Sequence, residues 1–314
     1  MIENQVYQIL LECNENAVIK CNQYLQNVMQ TRGGRIGSGM GSVLETLWGY
    51  NMNATLRERG NTDIEVAWFP DHQYNDFAVV GKNNHWNPTT LEGEYFRLEA
   101  KSMQVGENVD EPKAHFNVLR HEIGQHDAIL LLVWKWTRLD QYRVYPEIVG
   151  TYLNRAQSLA YLRDELHKLR GGRFINSGEC PDCGYENCQH VGEPLNAAGR
   201  RERISGPPSL RVSLSTSHAA NFGGMLRMLK ASSMPQKIAT REIIRQDQEF
   251  IDYLDFIHTH FPNEEKNFYS INEWRQVLIN LGIDASQNNL NNVNDIHSFL
   301  RSHVRRECYK HLLL

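Results

Sequence analysis

The run Ala128-Ile-Leu-Leu-Leu-Val-Trp134 constrains this chain more than any other stretch. It is far shorter than the ~18 apolar residues that mark a transmembrane helix. It also has no polar face to give to water, so it suits a strand in the middle of a sheet covered on both sides. A chain of 314 residues, 41% hydrophobic and 22% charged, is long enough to bury such a strand in a core that needs no disulfides. No other apolar run is longer, so nothing in the sequence points to a membrane. The segment Met1 to Leu10 lacks the basic start and apolar stretch of a signal peptide, and a cytoplasmic protein is expected.

The elements around the run follow from periodicity. Residues 4–29 place Val6, Ile9, Leu10, Cys13, Val18, Cys21 and Leu25 at helical spacing. The glycine-rich stretch 31–41 breaks that helix, and a second amphipathic helix resumes at Ser42 and ends near Gly60. Three extended pieces come next: IEVAWFP from Ile64, NDFAVVG from Asn75, and EYFRLEAKSM from Glu94. A helix is predicted for Glu111 to Gly124, with Pro112 near its start, and it leads into the apolar strand. Another is predicted for Asn154 to Leu169, ended by Gly171 and Gly172, and a short strand for Leu210 to Leu214. Beyond a boundary placed near 232–235, residues 236–261 and 271–309 read as two helical stretches joined at Pro262. The fold expected is therefore α/β: a mixed central sheet flanked by helices in 1–232, then a helical C-terminal domain in 233–314.

One strand carries chemistry. In LEAK, Glu99 and Lys101 are two residues apart and share one side of a strand, with Leu98 and Ala100 on the other. Phosphodiester hydrolysis requires a cation at the phosphate and a water made nucleophilic. Hard Mg²⁺ takes carboxylate oxygens, and Asp76 on the neighbouring strand is a second acid for such a cradle.

These residues resemble the PD-(D/E)XK nuclease superfamily, which includes many restriction endonucleases, resolvases and repair nucleases. The matching positions are Asp76 in YNDFAVVG and Glu99-Ala100-Lys101 in FRLEAKSM, within an order of elements that runs over about residues 36–140. The residue before the first acid, typically proline in that family, is Asn75 here, so Asp76 is chosen over Asp71 on the strength of the strand that follows it. The resemblance implies a restriction-endonuclease-like core in which Asp76 and Glu99 bind Mg²⁺ and Lys101 orients or activates the attacking water. It also implies a further acid from the upstream helix, where Glu45 sits. Glu45 has a second reading, because Ser42 and Glu45 have the spacing of a capping box.

Three of the six cysteines crowd into Cys180-Pro-Asp-Cys183-Gly-Tyr-Glu-Asn-Cys188-Gln-His190. Thiolate and imidazole ligands at this spacing suit a closed tetrahedral Zn²⁺ site, which would staple an insertion near 171–206 without taking part in chemistry. The arginines that follow, Arg200, Arg201 and Arg203, together with Arg32 and Arg35 in the glycine-rich stretch, are candidates for phosphate contacts to DNA, the alternative being a solvated charge run. A net charge of −4 does not oppose this, since potential in a cleft depends on local placement.

The function expected is a Mg²⁺-dependent endonuclease of a restriction or defence type, acting on double-stranded DNA as a homodimer, the simplest assembly with two active sites. The alternatives are a repair, recombination or transposon-end nuclease, and a non-catalytic zinc-containing DNA-binding module.

Overall fold

A computed structural model describes residues 2–32, 39–69, 75–90, 92–106, 123–169, 171–195, 199–201 and 234–314. The chain divides into two compact units, Met1–Met225 and Leu226–Leu314.

The first unit is a mixed α/β structure. Two helices, α1 (Ile2–Val28) and α2 (Met40–Glu58), precede a five-stranded sheet of β1 (Ile64–Trp68), β2 (Phe77–Gly81), β3 (Glu94–Gln104), β4 (Asp127–Arg138) and β5 (Val144–Arg155). Neighbours in the sheet follow chain order, antiparallel throughout except that β3 and β4 run parallel. A parallel pair needs a crossover connection, and residues 105–126 make it. The helix expected at Glu111 to Gly124 lies outside the described residues except for its last two.

The apolar run takes the place its composition demands. From Ala128 to Val133 no residue is exposed to solvent, so both faces of β4 are covered. On one face Ala128, Leu130 and Leu132 join a core with Phe96, Leu98 and Ala100 of β3. The helices bring Leu10, Cys13, Ala17, Cys21 and Leu25 from α1, and Met40, Leu44, Trp48, Met52 and Leu56 from α2, each set at a helical repeat. Trp48 Nε1 donates to Asn14 Oδ1 at 2.8 Å, so the one polar atom of that indole is satisfied between the helices. Gly49 is where α2 meets the sheet most closely: a Cβ there would lie 2.8 Å from the Trp68 ring.

Two local expectations change. Helix α2 begins at Met40 with Gly39 as its N-cap and no side-chain cap, so Ser42 lies inside the first turn and the capping box with Glu45 does not form. Strand β5 occupies 144–155, where no strand is expected from the sequence, and its last two residues take the start of the helix expected from Asn154; that helix, α3, starts at Gln157 and ends at Leu169. Pro146 and Gly150 weaken the strand pattern. As the last strand of the sheet order β5 tolerates them.

After α3 a two-stranded hairpin, β6 (Arg173–Phe174) with β7 (Pro194–Leu195), brackets the cysteine segment. The short strand expected at Leu210 to Leu214 lies outside the described residues.

The second unit contains, among the described residues, helices α4 (Met234–Ile244), α5 (Gln248–His260), α6 (Pro262–Phe268), α7 (Ile271–Asn280), α8 (Val293–His303) and α9 (Arg306–Leu313). The two long helical stretches expected are thus broken into shorter ones by local caps: Asp247 accepts from Phe250 N–H, Ser270 and Glu273 form a capping box, and Asn292 caps α8. Arg306 turns inward, where it pairs with Asp255 and sends Nη2 to Glu265 Oε1 at 3.2 Å and to His258 Nδ1 at 2.8 Å. No helix among the described residues is long and apolar enough to cross a membrane.

Candidate active site and metal centre

Strands β2 and β3 separate at one point, and the acids gather there. β2 begins at Phe77, opposite Leu98, and Asp76 N–H still donates to Leu98 O at 3.0 Å. Beyond that bond, among the described residues, β3 continues to Gln104 with only β4 beside it. The Ala100 N–H on the open side would be left without a partner. Asp76 supplies one: its Oδ2 accepts from Ala100 N–H at 2.7 Å. The end of β2 therefore draws the Asp76 carboxylate over β3 at the level of the E-x-K triplet.

Lys101 joins the acids. Its Nζ lies 3.9 Å from Asp76 Oδ2, donates to Ala100 O at 2.9 Å, and pairs directly with Glu99 Oε1. Glu99 is buried, and its other oxygen, Oε2, has no hydrogen-bond partner. Glu45 completes the group from α2. The first turn of that helix rests on β3 so closely that a Cβ on Gly41 would lie 2.7 Å from Ser102 Oγ and 3.8 Å from Glu45 Oε1. The structure thus brings together all four residues singled out on the sheet and the upstream helix.

Their electrostatics are those of crowded, desolvated acids. Burial, then the neighbouring Asp76, push the Glu45 carboxyl up to about 7. Burial is also the main cause for Glu99, pushed up to about 8 against the opposing pull of Lys101. Asp76 is raised by burial too, moderated by Lys101 and by the Ala100 N–H. Burial works against the Lys101 ammonium, but Glu99, Asp76 and Glu45 together outweigh it and hold the pKa above the ordinary lysine value. Three carboxyls against one cation leave an excess of acid that a hard divalent ion would offset, and the unpartnered Glu99 Oε2 is an oxygen such an ion would take. Asp76 and Glu99 could therefore hold Mg²⁺.

Sequence reasoning missed a buttress behind this site. Asp127 is fully buried at the start of β4; it accepts from Arg97 Nη2 at 2.8 Å and from Gly124 N–H at 2.7 Å. Asn75, the residue standing where the family pattern has proline, is buried and points its Nδ2 at Asp127 Oδ1 at 3.5 Å. An acid directly before the apolar run was the available signal, since a charge there must be buried with the strand and paired.

The second centre is local. Cys180, Cys183, Cys188 and His190 offer ligand atoms that all lie within 4.8 Å of one another, and they could hold a metal such as zinc. Among the described residues this is the one group of three or more such ligands drawn so tightly; the acids of the first site are spread around Lys101 instead. Gly184 takes φ +64° after Cys183, where a side chain would be strained, and its N–H closes the turn on Cys180 O at 2.9 Å. His190 Nδ1 lies 3.4 Å from Cys180 Sγ and 3.6 Å from Cys183 Sγ. Although burial pushes the Cys180 thiol up, the backbone N–H groups of Asp182 and Cys183 and the His190 ring bring it below the ordinary thiol value, whereas burial and the neighbouring Cys180 push Cys183 up, so Cys180 is the first of the two to offer a thiolate.

The arginines divide. Arg201 is buried and paired with Asp182, between the first two ligands, at 3.2 Å and with Glu193, just past the last, at 3.1 Å, so it braces the cysteine loop instead of facing a phosphate. Arg32 and Arg200 are exposed, whereas Arg35 and Arg203 lie outside the described residues. Compared with known protein families and with curated proteins, the chain matches none.

Proposed function

We propose that the protein is a Mg²⁺-dependent nuclease with a restriction-endonuclease-like core, hydrolysing DNA phosphodiester bonds at Glu45, Asp76, Glu99 and Lys101. One observation carries this reading: the Asp76 carboxylate is clasped onto β3 at Ala100, between Glu99 and Lys101, while Glu99 keeps a buried oxygen without a partner. Side chains that only stabilised a strand edge would not need three acids there.

Asp76 and Glu99 would hold the ion, which supplies charge neutralisation at the phosphate and a more acidic water. Lys101, held protonated by its acidic neighbours, acts as a donor: it orients the attacking water or a phosphate oxygen and does not take a proton. Glu45, pushed up to about 7, is the acid suited to accept the proton released as water adds to phosphorus and the bond to the leaving oxygen breaks. The cysteine–histidine group, in the same reading, holds a structural Zn²⁺ that fixes the 175–193 loop, and cutting both strands of a duplex is served by a homodimer.

The test is plasmid cleavage. Supercoiled DNA with the purified protein and Mg²⁺ is expected to be nicked or linearised, EDTA is expected to stop this, and Lys101→Ala is expected to abolish it while the variant still shifts DNA mobility. Mobility shift without Mg²⁺-dependent cutting by the native chain would leave the alternative of a zinc-containing DNA-binding module. Cutting of branched DNA in preference to plain duplex would favour a repair or recombination enzyme.

A further inference from the structure

A second feature of α2 is not used by the chemistry above. Between α1 and α2 runs an open groove of about 790 Å³, lined by Tyr24, Met29, Ser42, Thr46, Tyr50 and Asn51 among others. Tyr24 and Tyr50 are 45% and 63% exposed, and Tyr50 stands against Trp68, itself 37% exposed, with ring centroids 4.8 Å apart. Exposed aromatic rings of this size are costly to leave in water and are the platforms on which single-stranded nucleic acid stacks its bases.

The polar lining is equally specific. The Asn51 amide nitrogen is engaged with Leu47 O at 2.8 Å and Cys21 Sγ at 3.4 Å, so its oxygen is the atom left to accept from a ligand. The Ser42 and Thr46 hydroxyls stand on the same helix. No acidic side chain is among the described lining residues, and the exposed Arg32 follows three residues after Met29, which suits a ligand carrying phosphate. At 3.6 residues per turn, Glu45 and Tyr50 project roughly 140° apart around α2, so a helix only about 10 Å wide separates the groove from the acids.

We propose that this groove seats an unpaired base of a single DNA strand, stacked on Tyr24 and Tyr50 and held by Asn51, while the same strand passes around α2 to the acids. Each unpaired base presents a donor to the Asn51 oxygen, the exocyclic amino group of adenine, cytosine and guanine or the N3–H of thymine, so the contact holds a base without choosing among them. The substrate class is then DNA with a single-stranded segment at the cut. Only the path to the acids rests on the nuclease reading; the base-binding groove stands without it.

The experiment measures fluorescence anisotropy of short labelled homopolymers of deoxycytidine, deoxyadenosine and thymidine with the full chain in EDTA, beside plasmid cleavage in Mg²⁺. Tyr24→Ala and Tyr50→Ala are each expected to weaken binding of the single strands about tenfold, with Tyr50→Phe close to the native protein. Asn51→Ala is expected to weaken binding of all three polymers. Native-like binding by both tyrosine-to-alanine variants, or no binding of single strands by the native chain, overturns the groove; native-like binding by Asn51→Ala overturns the assignment to Asn51. Tyrosine-dependent binding with no cleavage keeps the groove and defeats the nuclease reading, and tyrosine-dependent binding with cleavage indifferent to both tyrosines keeps both and overturns the path between them.

Discussion

The two candidate metal centres of the first unit are built in opposite ways. The cysteine–histidine group draws three soft thiols and one imidazole from eleven consecutive residues, and two turns bring them within 4.8 Å. The acid cluster draws on residues 45 to 101, from a helix and two strands, and a lysine already stands among its carboxylates. A local site is made by its own segment and its ion completes the fold there. The distributed site exists only after sheet and helices have packed, so its geometry is imposed on the ion. Removing metal should therefore unfold one and merely discharge the other.

The largest effect expected is at the distributed site. Glu99→Gln is expected to lower Mg²⁺-dependent cleavage on the order of 10³-fold, measured by initial rates on plasmid, with little change in circular dichroism. The same residue sets a pH dependence of stability. Its carboxyl rises from 4.5 to about 8 on folding, so between those values the folded chain holds a proton that the unfolded chain has released. Stability without metal is thus full below pH 4.5 and is lost as pH rises through about 8. Thermal melts at several pH values are expected to show this decline, Glu99→Gln to flatten it, and Mg²⁺ to raise the melting temperature more at pH 8 than at pH 6.

Next in size is the local site. Cys183→Ser is expected to drop bound zinc from one equivalent to a small fraction, by elemental analysis, and to increase proteolysis within 175–193 while the sheet keeps its protection from hydrogen exchange. Loss of exchange protection across β3 and β4 in this variant would mean that the two sites are not independent.

Smaller again is Gly41→Ala. The added Cβ would meet Ser102 Oγ, so either that hydroxyl turns away or α2 shifts from β3 and carries Glu45 with it. Destabilisation of about 1–3 kcal/mol and a several-fold loss of cleavage are expected, and Gly41→Ala with Ser102→Ala is expected to recover much of both.

The smallest effect separates the two arginines. Arg200→Ala is expected to weaken DNA binding modestly and to reduce the salt dependence by about one unit of slope. Arg201→Ala is expected to leave that slope unchanged and to speed zinc loss to a chelator, because Arg201 is already paired with Asp182 and Glu193.

How much of this was legible depended on the range of the interaction that decides each feature. The β4 run announced a covered strand because burial on both faces leaves no alternation to read. Glu99 and Lys101 could be paired because two residues on one strand share a side whatever the fold. Asp76 could be placed only through the strand after it, and the bond to Ala100 that holds it spans 24 residues. Asn75 and Asp127, 52 residues apart, left no joint signal. Strand β5 was hidden by Pro146 and Gly150: the glycine weakens a strand pattern, and the proline suits the outer strand of a sheet whose order the sequence does not state. In the second unit the helical stripe was legible and its interruptions were not, although Ser270 with Glu273 carried the spacing that Ser42 with Glu45 merely imitated.

The clasp of Asp76 on Ala100 has a consequence for solubility. Beyond Leu98 the described part of β3 has one side with no strand beside it, and an open strand edge invites pairing with another molecule. Charged groups clustered there guard that edge, since an incoming strand would have to bury them unpaired. Replacing Asp76 by an apolar residue of similar size would thus do two things at once, removing a ligand and baring a template for aggregation. Asp76→Asn, which keeps an acceptor for the Ala100 N–H, is the change whose loss of cleavage would speak of chemistry alone.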